Sequence, residues 1–262
     1  MLKNNRSGLS YLIVLVFLLC ISTVANAADG YYYQIKVYHF KTNVQQSRVD
    51  AYLQKAFLPA MHRAGIKNIG VFTPVATDTM GKRTYVFIPY KTFAEIKKVE
   101  TMLAADQQYA ADGRDYIDAP YNDPAYTRIE TILLSAFPKM LFADVPKLTA
   151  NKTDRVYELR SYESATEKQN INKVAMFNDG DEVALFKRLG FNAVFYAEVI
   201  AGSHMPNLMY MVTFDSMAEH DRLWKNFGND PYWKSLSAKS QYQNNVNHVD
   251  AIFLHPAAYS DF

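Results

Sequence analysis

The chain has 262 residues, with 28 Lys+Arg against 26 Asp+Glu and a single cysteine. A balance this close to neutral excludes a nucleic-acid or anionic-membrane partner held by charge. One cysteine excludes a disulfide framework within the chain.

The N-terminus reads as an address. Lys3 and Arg6 form a basic region, Leu12 to Leu19 is an apolar run, and Ala25-Asn26-Ala27 is a small-residue cleavage signature. The run is short against the roughly 20 residues of a bilayer span. Residues 1–27 are therefore expected to be a cleaved signal peptide and the protein periplasmic or secreted; a retained anchor is the other reading. The cysteine is Cys20, and Leu19 before it is too bulky for a lipoprotein site. Cleavage after Ala27 removes this thiol together with two bases. The mature chain then has equal acidic and basic counts and no Cys nucleophile or Cys metal ligand.

Tyr31 to Phe40 alternates as a strand, and Val44 to Arg63 carries apolar residues at helical spacing until Gly65 ends the helix. Ile69 to Pro74 and Thr84 to Tyr90 read as two more strands; Pro89 marks an end or an edge. Thr92 and Glu95 form a capping box, in which Glu95 should reach back to the Thr92 amide, and the helix runs on to Leu103. A partly helical connection over 106–125 leads to a fourth strand, Arg128 to Leu134. The Pro- and Asn-bearing stretch that follows is the expected linker.

The same order then recurs. Val156 to Tyr162 is a strand, a helix irregular around Asn178–Asp181 ends at Gly190, and Asn192 to Ile200 and Leu208 to Phe214 are strands. Ser216 and Glu219 form a second capping box, and His248 to Leu254 closes the chain. Tyr157 follows Tyr33 by 124 positions, and Ser216 follows Thr92 by the same 124. Strand–helix–strand–strand–helix–strand is the ferredoxin-like order, which leaves one face of its sheet bare. The expectation is an α+β protein of two tandem ferredoxin-like domains, 28–140 and 155–262, joined by 141–154. Together they would form a pseudo-dimeric α/β barrel by covering each other's sheets.

Tyr157-Glu158-Leu159-Arg160-Ser161-Tyr162, the Lys187–Phe191 turn, Tyr210–Trp224 and Asn229-Asp230-Pro231-Tyr232-Trp233 resemble, in that order, the motifs of a NIPSNAP domain. The first half resembles a degenerate copy, with Asp106-Gln107-Gln108-Tyr109 where the second has its Asp-Pro-Tyr-Trp. The resemblance implies a dimeric α/β barrel and carries no catalytic residues over.

Candidate ligand-binding residues come from alternation. If Leu159 faces the helices, Glu158, Arg160 and Tyr162 face the other sheet, and His248 and Asp250 share one side of the last strand. Gln34, Lys36, Tyr38, Arg128 and Glu130 are their counterparts. Such alternating charge is either a paired network joining the halves or the lining of a wet cavity. His220 aligns with Ile96 on the buried stripe of its helix, as a core histidine or as an acid/base group in a pocket. Glu219, His220 and Asp221 share one turn and are expected to point apart, and no metal site is expected. Fourteen per cent aromatics, with 19 Tyr, suit half-buried strands or a small-molecule surface. Asp230 and Pro231 read as a helix start.

The chain carries no nucleophile elbow, phosphate loop or glycosidase carboxylate pair. The functional expectation is binding of a small ligand or a protein partner without a cofactor, with a homo-oligomer left open. The alternative is a cofactor-independent oxygenase or isomerase, by fold analogy.

Overall fold

The computed structural model describes residues 30–75 and 79–262; the expected signal peptide lies outside them. Eight strands are formed by β1 (Tyr32–Phe40), β2 (Gly70–Pro74), β3 (Lys82–Tyr90), β4 (Arg128–Ala136), β5 (Val156–Glu163), β6 (Asn192–Ala201), β7 (Asn207–Phe214) and β8 (His248–Pro256). Every pairing is antiparallel, and the strands close into one barrel in the order β1-β3-β2-β8-β5-β7-β6-β4. The first four strands thus lie side by side as β4-β1-β3-β2 and the last four as β8-β5-β7-β6. Their seams are β2 with β8 and β4 with β6. Both seams are short: Phe72–Pro74 pairs with Leu254–Pro256, and β4 meets β6 from Leu133 to Ala136. Pro89 is tolerated because the β2 ladder stops at Phe87, so no strand flanks it on that side.

Helices cover the outside. Over the first half lie α1 (Asn43–Tyr52) and α2 (Leu58–Arg63), joined by a π turn at Leu53–Phe57, then α3 (Phe93–Ala105), α4 (Gln107–Asp112) and α5 (Arg114–Ile117). Over the second lie α6 (Glu167–Asn178), α7 (Glu182–Arg188), α8 (Met217–Asn229) and α9 (Pro231–Ser237). The helix expected to be continuous from Val44 to Arg63 is therefore interrupted by the wider π turn, while the break predicted near Asn178–Asp181 separates α6 from α7. Gly65 and Gly190 end their helices at φ +90° and +89°, the left-handed conformation only glycine adopts freely.

The capping boxes form with one difference. Thr92 and Ser216 accept the amides of Glu95 and Glu219 as expected. The two carboxylates reach one residue further back, to the Lys91 and Asp215 amides. Asp230 starts α9 by accepting the Tyr232 amide, and Asp106, in the degenerate copy, starts α4 by accepting that of Tyr109. Each cap is worth about 1 kcal/mol. Each is also gripped by the last residue of an earlier helix, Arg188 of α7 on Asp230 at 2.9 Å and Arg63 of α2 on Asp106 at 2.6 Å. The segment 141–154 contains no helix or strand.

The described residues form three large apolar clusters and a small one of Met176, Leu236 and Tyr242. One fills the barrel with Tyr33, Ile35, Phe87, Tyr157, Leu159 and Phe195 among others. Two more lie between barrel and helices, one on each half. This placement corrects the expected facing. Leu159 points into the barrel, so Glu158, Arg160 and Tyr162 point out beneath the helices, as do Gln34, Lys36 and Tyr38.

Candidate functional site

The misfaced residues form a network under α6–α9. Glu158 is 1 % exposed. It accepts Arg160 Nη1 at 2.5 Å and Trp224 Nε1 at 2.8 Å, and faces His220 Nε2 at 3.4 Å. His220 is packed edge-on against Phe214 and Phe253. Its Nδ1 meets Asp221 Oδ1 at 2.8 Å, so the neighbouring acid turns toward the ring instead of away from it. The Arg160 guanidinium lies 4.6 Å from the Trp224 ring centre, a cation–π contact. Tyr162 shares a hydrogen bond with Tyr210 at 2.7 Å.

The network continues to Lys173, which pairs with Glu182 at 2.9 Å and sits 4.7 Å from the Phe177 ring centre. Both partners are buried. Burial pushes the Glu182 carboxyl up, and Lys173 opposes the shift. Glu158 pairs with Arg160 and Lys173 with Glu182, so the charges form a paired network, though not the expected one. It ties helices to the sheet of one half and does not join the two halves.

His248 and Asp250 share a side as expected and face the barrel interior at its open end, opposite in sense to Glu158 and Arg160. At the other end Phe87 and Phe195 stack with centres 5.0 Å apart, and Phe262 from the C-terminus packs on Phe72 and Phe87. That end is filled. The open end holds a cavity of about 500 Å³ whose wall includes Val37, Tyr85, Ile132, Leu159 and Met209. This is within the ordinary range for small-molecule sites.

Three histidine–carboxylate pairs stand around the mouth. His39 Nε2 lies 2.7 Å from Glu130, His204 Nδ1 lies 2.9 Å from Glu163, and His248 Nε2 lies 3.1 Å from Asp250. Strand register explains two of them. His39 lies beyond Val37, the partner of Glu130, on the same face of β1. Glu163 is directly opposite His248, and Ser161 opposite Asp250. His204 is delivered by the β6–β7 turn, where its φ is +67° and the Met205–Pro206 peptide is cis. Inside the rim, Asn207 Nδ2 donates to Ser161 Oγ at 2.9 Å.

Of these rim residues, His248 and Asp250 were expected from the sequence, and Glu130 only as a counterpart. His39, Glu163 and His204 were not expected as site residues. The available signal was that Tyr33, Ile35 and Val37 lead to His39 on one face, just as Tyr157, Leu159 and Ser161 lead to Glu163.

Comparison with known proteins accords with this geometry. Residues 157–261 match the NIPSNAP family. Over 87 % of its length the chain follows a candidate monooxygenase from Lactobacillus acidophilus NCFM, with 94 % of that chain covered, at 11 % identity and a TM-score of 0.57. An anthrone oxidase-like protein matches at 10 % identity and a TM-score of 0.50, covering 88 % of this chain and 93 % of its own. A NIPSNAP-like domain protein from Burkholderia xenovorans matches at 13 % identity and a TM-score of 0.37, covering 40 % and 88 %. At these identities the likeness concerns fold alone. No curated protein matches the chain.

Proposed function

We propose that this protein, which carries a NIPSNAP domain over residues 157–261, is an exported barrel that binds a small, mostly apolar molecule with one polar group at its open end. The observation that carries the reading is the cavity: apolar side chains with Arg83, Ser161 and Asn207 among them, below a rim of paired histidines and carboxylates, with the far end closed by aromatics. Apolar walls with a few convergent polar groups are the usual form of a ligand site. Export is supported by the basic, apolar and small-residue succession before Asp29.

In the same reading the halves 28–140 and 155–262 descend from one duplicated ferredoxin-like unit, with 141–154 as linker. The matching strand orders support it, as do the equivalent glycines and the Arg63–Asp106 and Arg188–Asp230 clamps. A duplicated unit covers its own bare sheet without a second chain.

The test is a thermal-shift screen of small aromatic carboxylates, sugars and haem-like compounds against wild type, Met209→Trp and His220→Ala. A ligand at 100 times its Kd should stabilise wild type by about 2.7 kcal/mol. Met209→Trp, which fills the cavity, should lose that response and His220→Ala should keep it. A screen without a hit, or the reverse pattern between the two variants, refutes the cavity as the site.

A second reading, a cofactor-independent oxygenase, is favoured by His39. His39 lines the cavity with its Nε2 2.7 Å from Glu130, a place from which an imidazole is suited to act as general base on a hydroxyaromatic. Two similar folds carry oxygenase and oxidase names. Oxygen uptake with a hydroxyanthrone, abolished by His39→Ala, would be its signature; no uptake would eliminate it.

A further inference from the structure

The rim brings donors together more closely than a ligand pocket requires. Glu163, His248 and Asp250 each offer a ligand atom, and all three atoms lie within 4.8 Å of one another. They come from neighbouring strands in fixed register, Glu163 opposite His248 and Asp250 two residues along β8 on the same face. A fourth donor, His204, already touches Glu163 from the β6–β7 turn. Glu163 Oε1 is shielded from solvent and makes no hydrogen bond of acceptable geometry, although His204 Nδ1 is 2.9 Å away. Two carboxylates this close repel each other unless a cation stands between them.

We propose that Glu163, His248 and Asp250, with His204 as a fourth ligand, bind one divalent transition-metal ion at the edge of the barrel mouth. One or two imidazoles with two carboxylates suit zinc, manganese or ferrous iron better than copper(I), which favours sulfur, or calcium, which favours oxygen alone. Ligand atoms around such an ion stand roughly 3–3.5 Å apart, given bonds of about 2.0–2.2 Å. His248 and Asp250 are half exposed, so rotation of their side chains suffices to close the set. His204 and Asp250 also line the cavity, which places the ion beside any molecule bound there. The assignment stands whether or not the cavity takes an organic ligand.

The experiment is calorimetric titration of the full chain with Zn²⁺ alone and with Mn²⁺ alone, in a Cys20→Ser background so that no thiol competes. One ion per chain should bind. His248→Ala, Asp250→Asn and Glu163→Gln should each weaken it by at least the roughly 10–100-fold seen when only a ligand's supporting group is lost. His62→Ala serves as control, because His62 and Asp261 form an exposed pair of similar length, 2.9 Å, away from the rim. That variant should bind as the parent does. Circular dichroism of each variant checks that folding is kept. No binding of either ion, binding unchanged by the three rim substitutions, or binding lost in His62→Ala would each overturn the assignment.

Discussion

Replacing Glu158 by alanine separates the two places where chemistry was expected. The side chain is 1 % exposed and receives Arg160 at 2.5 Å and Trp224 at 2.8 Å. Its removal leaves an indole N–H without an acceptor and a guanidinium without its counter-ion. Breaking a buried pair from one side costs roughly 3–5 kcal/mol. Arg160 keeps 19 % of its side-chain surface in solvent and retains the Trp224 ring face, so the low end applies, about 3 kcal/mol. For a domain of this size that is a fall in Tm of roughly 6–12 °C. Glu158→Gln keeps one acceptor and the shape, and should lose about half as much. Urea unfolding at neutral pH measures both, with an unchanged slope as the check on a two-state comparison. Ligand and metal binding at the barrel mouth should be untouched in either variant. A loss below about 1 kcal/mol, the value of an exposed pair, would mean that water reaches this network. Ligand binding abolished at unchanged stability would make the network the site.

Lys173→Met should cost about 3–5 kcal/mol at pH 7 by leaving Glu182 buried and unpaired. Burial already raises the Glu182 carboxyl, so its folded form holds a proton more tightly than its unfolded form. Its contribution is complete below the unfolded value near 4.3 and is lost as pH rises through the folded one. Removing Lys173 moves the folded value higher still, so the deficit measured by urea unfolding should shrink between pH 7 and pH 5; a constant deficit would contradict this. Arg188 and the Tyr232 and Trp233 amides hold Asp230 below its ordinary pKa, Arg188 most strongly. Its contribution is present above the unfolded value near 3.9 and disappears as pH falls through the folded one. Asp230→Asn should therefore flatten the acid limb of the stability curve, and an unaltered limb would refute it. Gly190→Ala meets no atom within 4 Å, so only the left-handed backbone resists, at about 1–2 kcal/mol; a neutral result in urea unfolding would show that the turn relaxes.

The order of elements was legible because local signals carry it. Helix caps, the glycines after α2 and α7 and the alternation of β1 and β5 are each decided within a few residues. The π turn at Leu53–Phe57 left no such signal, since its apolar residues keep helical spacing. The rim was harder to see for another reason. His39, Glu130, Glu163, His204 and His248 come from five separate segments, and only barrel closure and strand register make them neighbours. His204 further depends on a positive φ at a non-glycine residue, which no composition rule anticipates.

The facing of β1 and β5 was misread because alternation fixes which residues share a side, not which side is inside. In a barrel wrapped by helices both sides are buried, so burial alone does not distinguish them. The distinction lies in what each side can offer a charge. The closed end of the barrel is packed with aromatic and aliphatic side chains, and an ion there would meet little beyond the hydroxyls of Tyr33 and Tyr157. The helix side supplies partners from a second direction: Trp224 and His220 for Glu158, and Glu182 for Lys173. An ionised residue in mid-strand must therefore turn toward the helices, as Glu158 and Arg160 do, and charge can face inward only where the barrel opens to water. Glu130, Glu163 and Asp250 obey that condition, which is why the inward-facing charges of this fold gather at a single mouth.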